Sequence, residues 1–189
     1  MNYKIKETDT HIYFLTGPFS QWHLGNFKSH LCNPNYVPNS MEPNKGVYLF
    51  DEPEYEFNCA EQFMMANKAQ LFNDQGAFTD IMKADHPRDQ KQFGRLVRNF
   101  NLTVWNTHAL EIVTTGNWQR CLQNSEYRDA IIASGNKYIV EGNRHDPVWA
   151  VGVSYDDPAI LDEKNWKGTN WLGKAHMNVR NLLIRYNSF

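Results

Sequence analysis

A run from Asn58 to Gln75 contains neither Gly nor Pro, and a β-type stretch, Tyr55 to Phe57, leads straight into it. Ala60, Phe63, Met64, Leu71 and Phe72 recur along it at helical spacing, so the sequence predicts a strand that feeds a helix. The rest of the chain must be packed around that unit. Ile12 to Leu15 is a short apolar run closed by Gly17-Pro18, which reads as a strand and turn. Lys28 to Lys45 is rich in Pro, Asn and Ser and reads as an irregular surface loop. Val47 to Phe50 and Tyr55 to Phe57 flank Asp51-Glu52-Pro53-Glu54, the pattern of a hairpin.

Helices dominate the chain beyond Gln75. Asp85-His86-Pro87 opens one, with Pro in the first turn. Leu102 to Val113 and Glu126 to Ser134 read as two more. Tyr138 to Val140 and Val148 to Val153 are short β-type runs. Leu172, Ala175, Val179, Leu182, Leu183 and Tyr186 mark one face of a last helix. There is no internal repeat and no linker. The expectation is a single α+β domain over residues 1–189, compact, with several helices, a small and mainly antiparallel sheet, and an irregular insertion at about 28–54.

Composition narrows the function classes. A net charge of −2 gives no general field for nucleic acid, so any such contact would be local. Aromatic residues reach 14%, with six Trp, a surplus that suits stacking on flat ligands as well as core building. Cys32, Cys59 and Cys121 are an odd, widely spaced set, which fits a reducing compartment better than a disulfide framework. No apolar run approaches the roughly 18 residues of a membrane span, and the first residues lack the apolar core of a signal peptide. A cytoplasmic protein is expected. His23, His30 and Cys32 lie close in sequence, but no metal-ligand spacing is present, and no Gly-rich phosphate loop either.

Three clusters carry chemistry. In the first, Glu61 falls in the first turn of the predicted helix, where the helix field favours a carboxylate. Two roles are open to it: catalysis, or closing a capping box begun by Asn58. Lys68 follows two turns later on the same face. In the second, Arg88, Lys91, Arg95 and Arg98 share one side of a helix against a lone Asp89, which suits either a solvated face or a phosphate site. Gly94 inside that helix calls for close packing or close ligand approach. In the third, Glu141, Asp146 and Trp149 sit where two β-type runs meet; Asp146 before Pro147 also suits a plain turn, and Trp149 a core position.

Taken in order, these clusters resemble the YbiA-like, or NADAR, family of N-glycosidases. The resemblance begins at Gly17-Pro18-Phe19-Ser20-Gln21-Trp22 and runs through Tyr55 to Ala69, Gly94-Arg95-Leu96-Val97 and Trp105. It continues with Asp146-Pro147-Val148-Trp149-Ala150-Val151-Gly152 and closes with Asn170-Trp171-Leu172-Gly173 and Met177-Asn178-Val179-Arg180. It implies hydrolysis of an N-glycosidic bond with neither metal nor cofactor. The substrate would be an ADP-ribosylated guanine nucleoside or DNA, or a ribosyl-phosphate metabolite such as a ribosylamino-pyrimidine of riboflavin synthesis. No membrane and no obligate protein partner is implied. By similarity Glu61, Trp105 and Trp149 fall at the active site with Asp146 beside them; Glu61 is expected to be catalytic, and Asp146 a second acid/base group or an anchor for the ribose hydroxyls. Trp105, Trp149, Lys68, Arg95, Ser20, Gln21, Asn170 and Gly173 are the expected substrate contacts. Two departures stand out: the length of Lys28 to Glu54, and Arg120-Cys121 where a basic-aromatic pair is expected.

Overall fold

The computed structural model describes residues 3–33 and 49–186. In chain order they form β1 (Ile5–Glu7), β2 (His11–Phe14), β3 (Phe27–Cys32), β4 (Leu49–Phe57), α1 (Ala60–Leu71), α2 (Gln75–Lys83), α3 (Pro87–Arg95), α4 (Leu102–Gln123), α5 (Ser125–Ala133), β5 (Tyr138–Glu141) and α6 (Trp171–Tyr186). Two short 3₁₀ turns, Pro158–Leu161 and Glu163–Asn165, precede α6. The class is α+β, as expected. The chain divides into two units: Met1–His23 with Asn124–Phe189, and Leu24–Gln123.

In the first unit β2 lies between β1, antiparallel to it, and β5, parallel to it. Alternation puts Ile12 and Phe14 on one face and Tyr13 on the other, and all three are buried. Tyr13 joins Val140, Val151, Val153 and Ile160 in a small core. Phe14 and Phe19 meet the buried His176 ring of α6 at centroid distances of 5.7 and 5.5 Å. His176 Nε2 donates to the Phe19 carbonyl at 2.7 Å, which leaves Nδ1 to accept from the Tyr127 hydroxyl at 2.8 Å. Val148 to Val153 is not a strand. The Asp146 carboxylate takes the amides of Val148 and Trp149, and Gly152 has φ +69, so turn geometry replaces the extended chain. Val151 and Val153 supply the apolar signal as core residues carried on a loop. On α6, Leu172, Ala175, Val179 and Leu183 face inward, but Tyr186 lies outside, 63% exposed.

In the second unit β3 and β4 form an antiparallel pair, with Phe27 opposite Phe57 and His30 opposite Glu54. The expected hairpin at Asp51 to Glu54 does not form. Leu49–Phe57 is one strand, and Pro53 falls inside a register shift, where a missing amide breaks no ladder. The insertion expected at about 28–54 is therefore strand at both ends, while 34–48, with most of the expected Lys28 to Lys45 loop, lies outside the described residues. Sequence pattern missed α2, which starts one turn after α1 because Asn73 takes φ +54 and Asp74 caps the new helix through Ala77 N. It also ended α4 too early. The helix runs on past Val113 through Gly116, where a Cβ would overlap the Phe63 ring, so that glycine serves packing.

Asp74 also binds Arg98 through its backbone amide and guanidinium, at 2.7–3.1 Å. These bonds hold its carboxyl well below the usual carboxylate range, the Arg98 side chain first among the causes. Its folded pKa is depressed, so its stabilisation is complete above the unfolded value, about 3.9, and is lost as pH falls through the folded one. Asp74→Asn is therefore expected to be less stable than wild type at neutral pH, with the gap closing in strong acid. Thermal melts of both proteins across acid pH check this; a gap that holds constant would contradict it.

Candidate active site

The entrance of α1 is held by amide side chains. Cys59 occupies the N-cap with φ −162 and no side-chain capping bond. The reach-back bond of a capping box comes from Gln62, whose Oε1 accepts from Asn58 N at 2.8 Å. The bond to Asn58 N therefore belongs to Gln62 and not to Glu61. Gln62 Nε2 donates to Ile81 O at 3.1 Å, and Gln90 Nε2 donates to Asn58 Oδ1 at 2.9 Å and Ala84 O at 2.8 Å. The Cys59 thiol donates to Gln90 Oε1 at 3.1 Å, and burial pushes its pKa up to about 12. It is a packing thiol. Together these bonds fix the turn that carries Glu61, which is 4% exposed.

Lys68, two turns along α1, is clamped. Its Nζ donates to Gly94 O at 2.8 Å and lies 4.2 Å from the Phe100 ring centroid and 5.7 Å from that of Trp105. Burial lowers its pKa first, Arg95 lowers it further, and Glu61 opposes both. So Glu61 and Lys68 of the first cluster, Arg95 of the second and Trp105 act on one neighbourhood within Leu24–Gln123. Phe100 belongs there too and was missed. Its signal was faint: an aromatic in the Asn-rich link ahead of α4, packed edge-on to Phe72.

The basic face changes in detail. Helix α3 ends at Arg95, and Arg98 beyond it is committed to Asp74. Arg88 and Arg95 are exposed. Gly94 is explained by packing, because a Cβ there would overlap Met65. Arg120, at the unexpected Arg-Cys pair, is fully buried.

In the other unit, the amides of Asn170, Trp171 and Leu172 donate to the carbonyls of Ala150, Val148 and Trp149 at 3.0–3.2 Å. The start of α6 thereby docks the loop that carries Asp146 and Trp149. Asp146 serves as the turn former, accepting from Val148 N at 3.1 Å and Trp149 N at 2.8 Å. Trp149 is half-buried, not a core residue, and meets Trp171 edge-on at 5.7 Å. Asn170 (φ +51) spends its amide on Ile139 O at 2.9 Å and Glu141 N at 3.1 Å, and Gly173 presses against the same strand. Both act as braces for the loop. Ser20 Oγ accepts from Trp22 N at 3.2 Å. Gln21 is different: it is 8% exposed, and neither of its amide atoms has a hydrogen-bond partner among the described residues.

The chain matches the model of the NADAR domain over residues 11–184. It belongs to the NADAR family. An N-glycosidase of Acanthamoeba polyphaga mimivirus is 36% identical over 182 residues, covering 92% of this chain and 96% of that one. The protein irg-1 of Caenorhabditis elegans is 30% identical over 153 residues, covering 77% of this chain and 72% of the relative. The NMR structure of Escherichia coli YbiA aligns with a TM-score of 0.67 at 19% identity, covering 98% of this chain and 91% of the other, and shows a shared fold. Among the described residues of this NADAR chain, no group of three or more His, Cys, Asp or Glu is placed to hold a metal. No described helix is long and apolar enough to cross a membrane.

Proposed function

We propose that this chain is an N-glycosidase that removes ADP-ribose from guanine, including guanine in DNA. Hydrolysis of an N-glycosyl bond follows from the family and from the N-glycosidase that is 36% identical over nearly the whole chain. The choice of substrate is the finer step. Its main support is the clamped Lys68 ammonium beside Trp105, in the combined field of Arg95 and Glu61. Two cations next to an indole suit a diphosphate joined to a flat base. The family match runs through both units, which supports treating the chain as one NADAR domain. Its three cysteines are free thiols, which suits the cytoplasm.

When the C1′–N bond breaks, its electron pair leaves with the base and the ribose becomes cationic. Glu61 stabilises that charge and accepts a proton from the attacking water. Asp146 anchors the ribose hydroxyls or serves as a second acid/base group. Lys68 and Arg95 hold the phosphates, Trp105 and Trp149 the flat groups. Incubation with ADP-ribosylated guanine oligonucleotide and, separately, with a phosphorylated ribosylamino-pyrimidine tests the reading. Free ADP-ribose should appear from the first. Release from the second alone would move the substrate to the riboflavin-type metabolite, and binding without release would make the domain a reader.

Gln21 gives a test with opposite signs. Each unsatisfied buried polar group costs about 1–3 kcal/mol, which a substrate that bonds the amide would offset. Gln21→Leu is therefore expected to raise the apo melting temperature by a few degrees, at about 2–4 °C per kcal/mol for this size. The same change should raise KM about tenfold, the loss of roughly 1.4 kcal/mol of binding. Differential scanning fluorimetry and steady-state kinetics measure the two. A variant that is destabilised with unaltered KM would remove Gln21 from the site.

A further inference from the structure

Between β5 and α6 the chain makes an excursion from Gly152 to Lys167 whose two ends are tied together. The amides of Lys167 and Gly168 both donate to Val151 O, at 2.8 and 3.0 Å. The loop has a rigid interior. Val153 and Ile160 join the core with Tyr13, Trp166 Nε1 donates to Ile160 O at 2.8 Å, and Asn165 Nδ2 donates to Ala159 O at 3.0 Å. Asp157 and Asp162 cap its two 3₁₀ turns. Compact loops of this kind are often functional. This one walls a cleft of about 650 Å³, within the range of small-molecule sites. None of the ten site residues named from sequence lines it.

The lining has three chemical parts. Arg144, Lys164 and Lys167 are exposed cations. Asp156 and Asp157 are carboxylates; the Ser154 hydroxyl holds Asp156 below the usual range, so it is ionised. Trp166 offers an indole that already stacks on Tyr138 at 6.1 Å. A purely anionic ligand would meet two opposing carboxylates, and a cationic one would meet three cations. A nucleotide satisfies all three parts. Its phosphate takes the Lys and Arg side chains, its sugar hydroxyls donate to the carboxylates, and its base lies against the indole.

We propose that this cleft is a second, non-catalytic binding site for a nucleotide, either free or as one residue of a nucleic-acid strand. It stands independently of the glycosidase reading. The test is an NMR titration of the full chain with AMP, with inorganic pyrophosphate, and with a short single-stranded deoxyoligonucleotide. The backbone signals of Gly152 and Ser154 and the Trp166 indole signal are expected to move with AMP, with the oligonucleotide, or with both. Movement with both means that a mononucleotide suffices, and movement with the oligonucleotide alone means that a strand supplies it. Lys164→Ala with Lys167→Ala, both exposed and outside the core, should weaken binding at least about tenfold. Trp105→Ala should leave these shifts in place. No movement with either nucleotide ligand overturns the proposal. So does a double variant that binds as wild type, or pyrophosphate that binds as well as AMP.

Discussion

Glu61→Gln is expected to lower kcat by about two to four orders of magnitude, the usual worth of a positioned general base and charge partner. KM should stay within a few-fold of wild type, since the lost interaction grows as the ribose becomes cationic. Folding should survive. The capping bond of α1 comes from Gln62 and the entrance is braced by Gln90 and Asn58, so no part of that network needs the Glu61 charge. The experiment is base release under single turnover, beside a melt of the same sample. Activity within threefold of wild type would remove Glu61 from the reaction, whatever the substrate. Activity lost together with the fold would instead make it a structural acid, and Gln62→Leu then serves as the control for a capping defect.

The legibility of this fold in its sequence divides by the range of the physics involved. Local periodicity placed α1 and the inward face of α6, because Phe63, Met64, Leu172 and Val179 repeat at the helical period and are in fact buried. It failed where turn chemistry or tertiary packing decided. Asn73 in the left-handed region and the Asp74 cap split one expected helix from a second. The helix expected to end at Val113 continues through Gly116, whose missing Cβ leaves room for the Phe63 ring. Val151 and Val153 mimic a strand, while the turn that displaces it is built by Asp146 and Gly152. At the candidate site, Glu61, Lys68, Arg95 and Trp105 were singled out through motif resemblance, since spacing alone left Glu61 a capping residue and Lys68 and Arg95 surface cations. Phe100, and the distinction between Arg95 and the committed Arg98, required coordinates. Both depend on where α3 stops, which no local pattern fixes.

Gly173→Ala is expected to destabilise the chain by about 3 kcal/mol, the upper end for overpacking a site that cannot give. Ala is favoured over Gly in a helix by about 1 kcal/mol, and Gly173 lies within α6. The sign reverses because an added Cβ would overlap the Ile139 carbonyl oxygen and lie 2.7 Å from Asn170 Oδ1. The first obstacle is strand backbone, and the second is a side chain held by Ile139 O and Glu141 N. Neither can rotate away. The melting temperature should fall by roughly 6–12 °C, at about 2–4 °C per kcal/mol for a chain of this length. Gly76→Ala in α2 is the internal control. Its Cβ would meet only ordinary contacts at 3.5 and 3.6 Å, so propensity should act unopposed and stability should rise slightly. Activity in Gly173→Ala should drop more than stability explains, because the start of α6 holds the carbonyls of Val148 to Ala150 and so positions the Asp146–Trp149 loop. Melts of both variants, with turnover measured below the lower transition, separate the effects. If Gly173→Ala melts with wild type, α6 does not press on β5, and the bracing of that loop loses its basis.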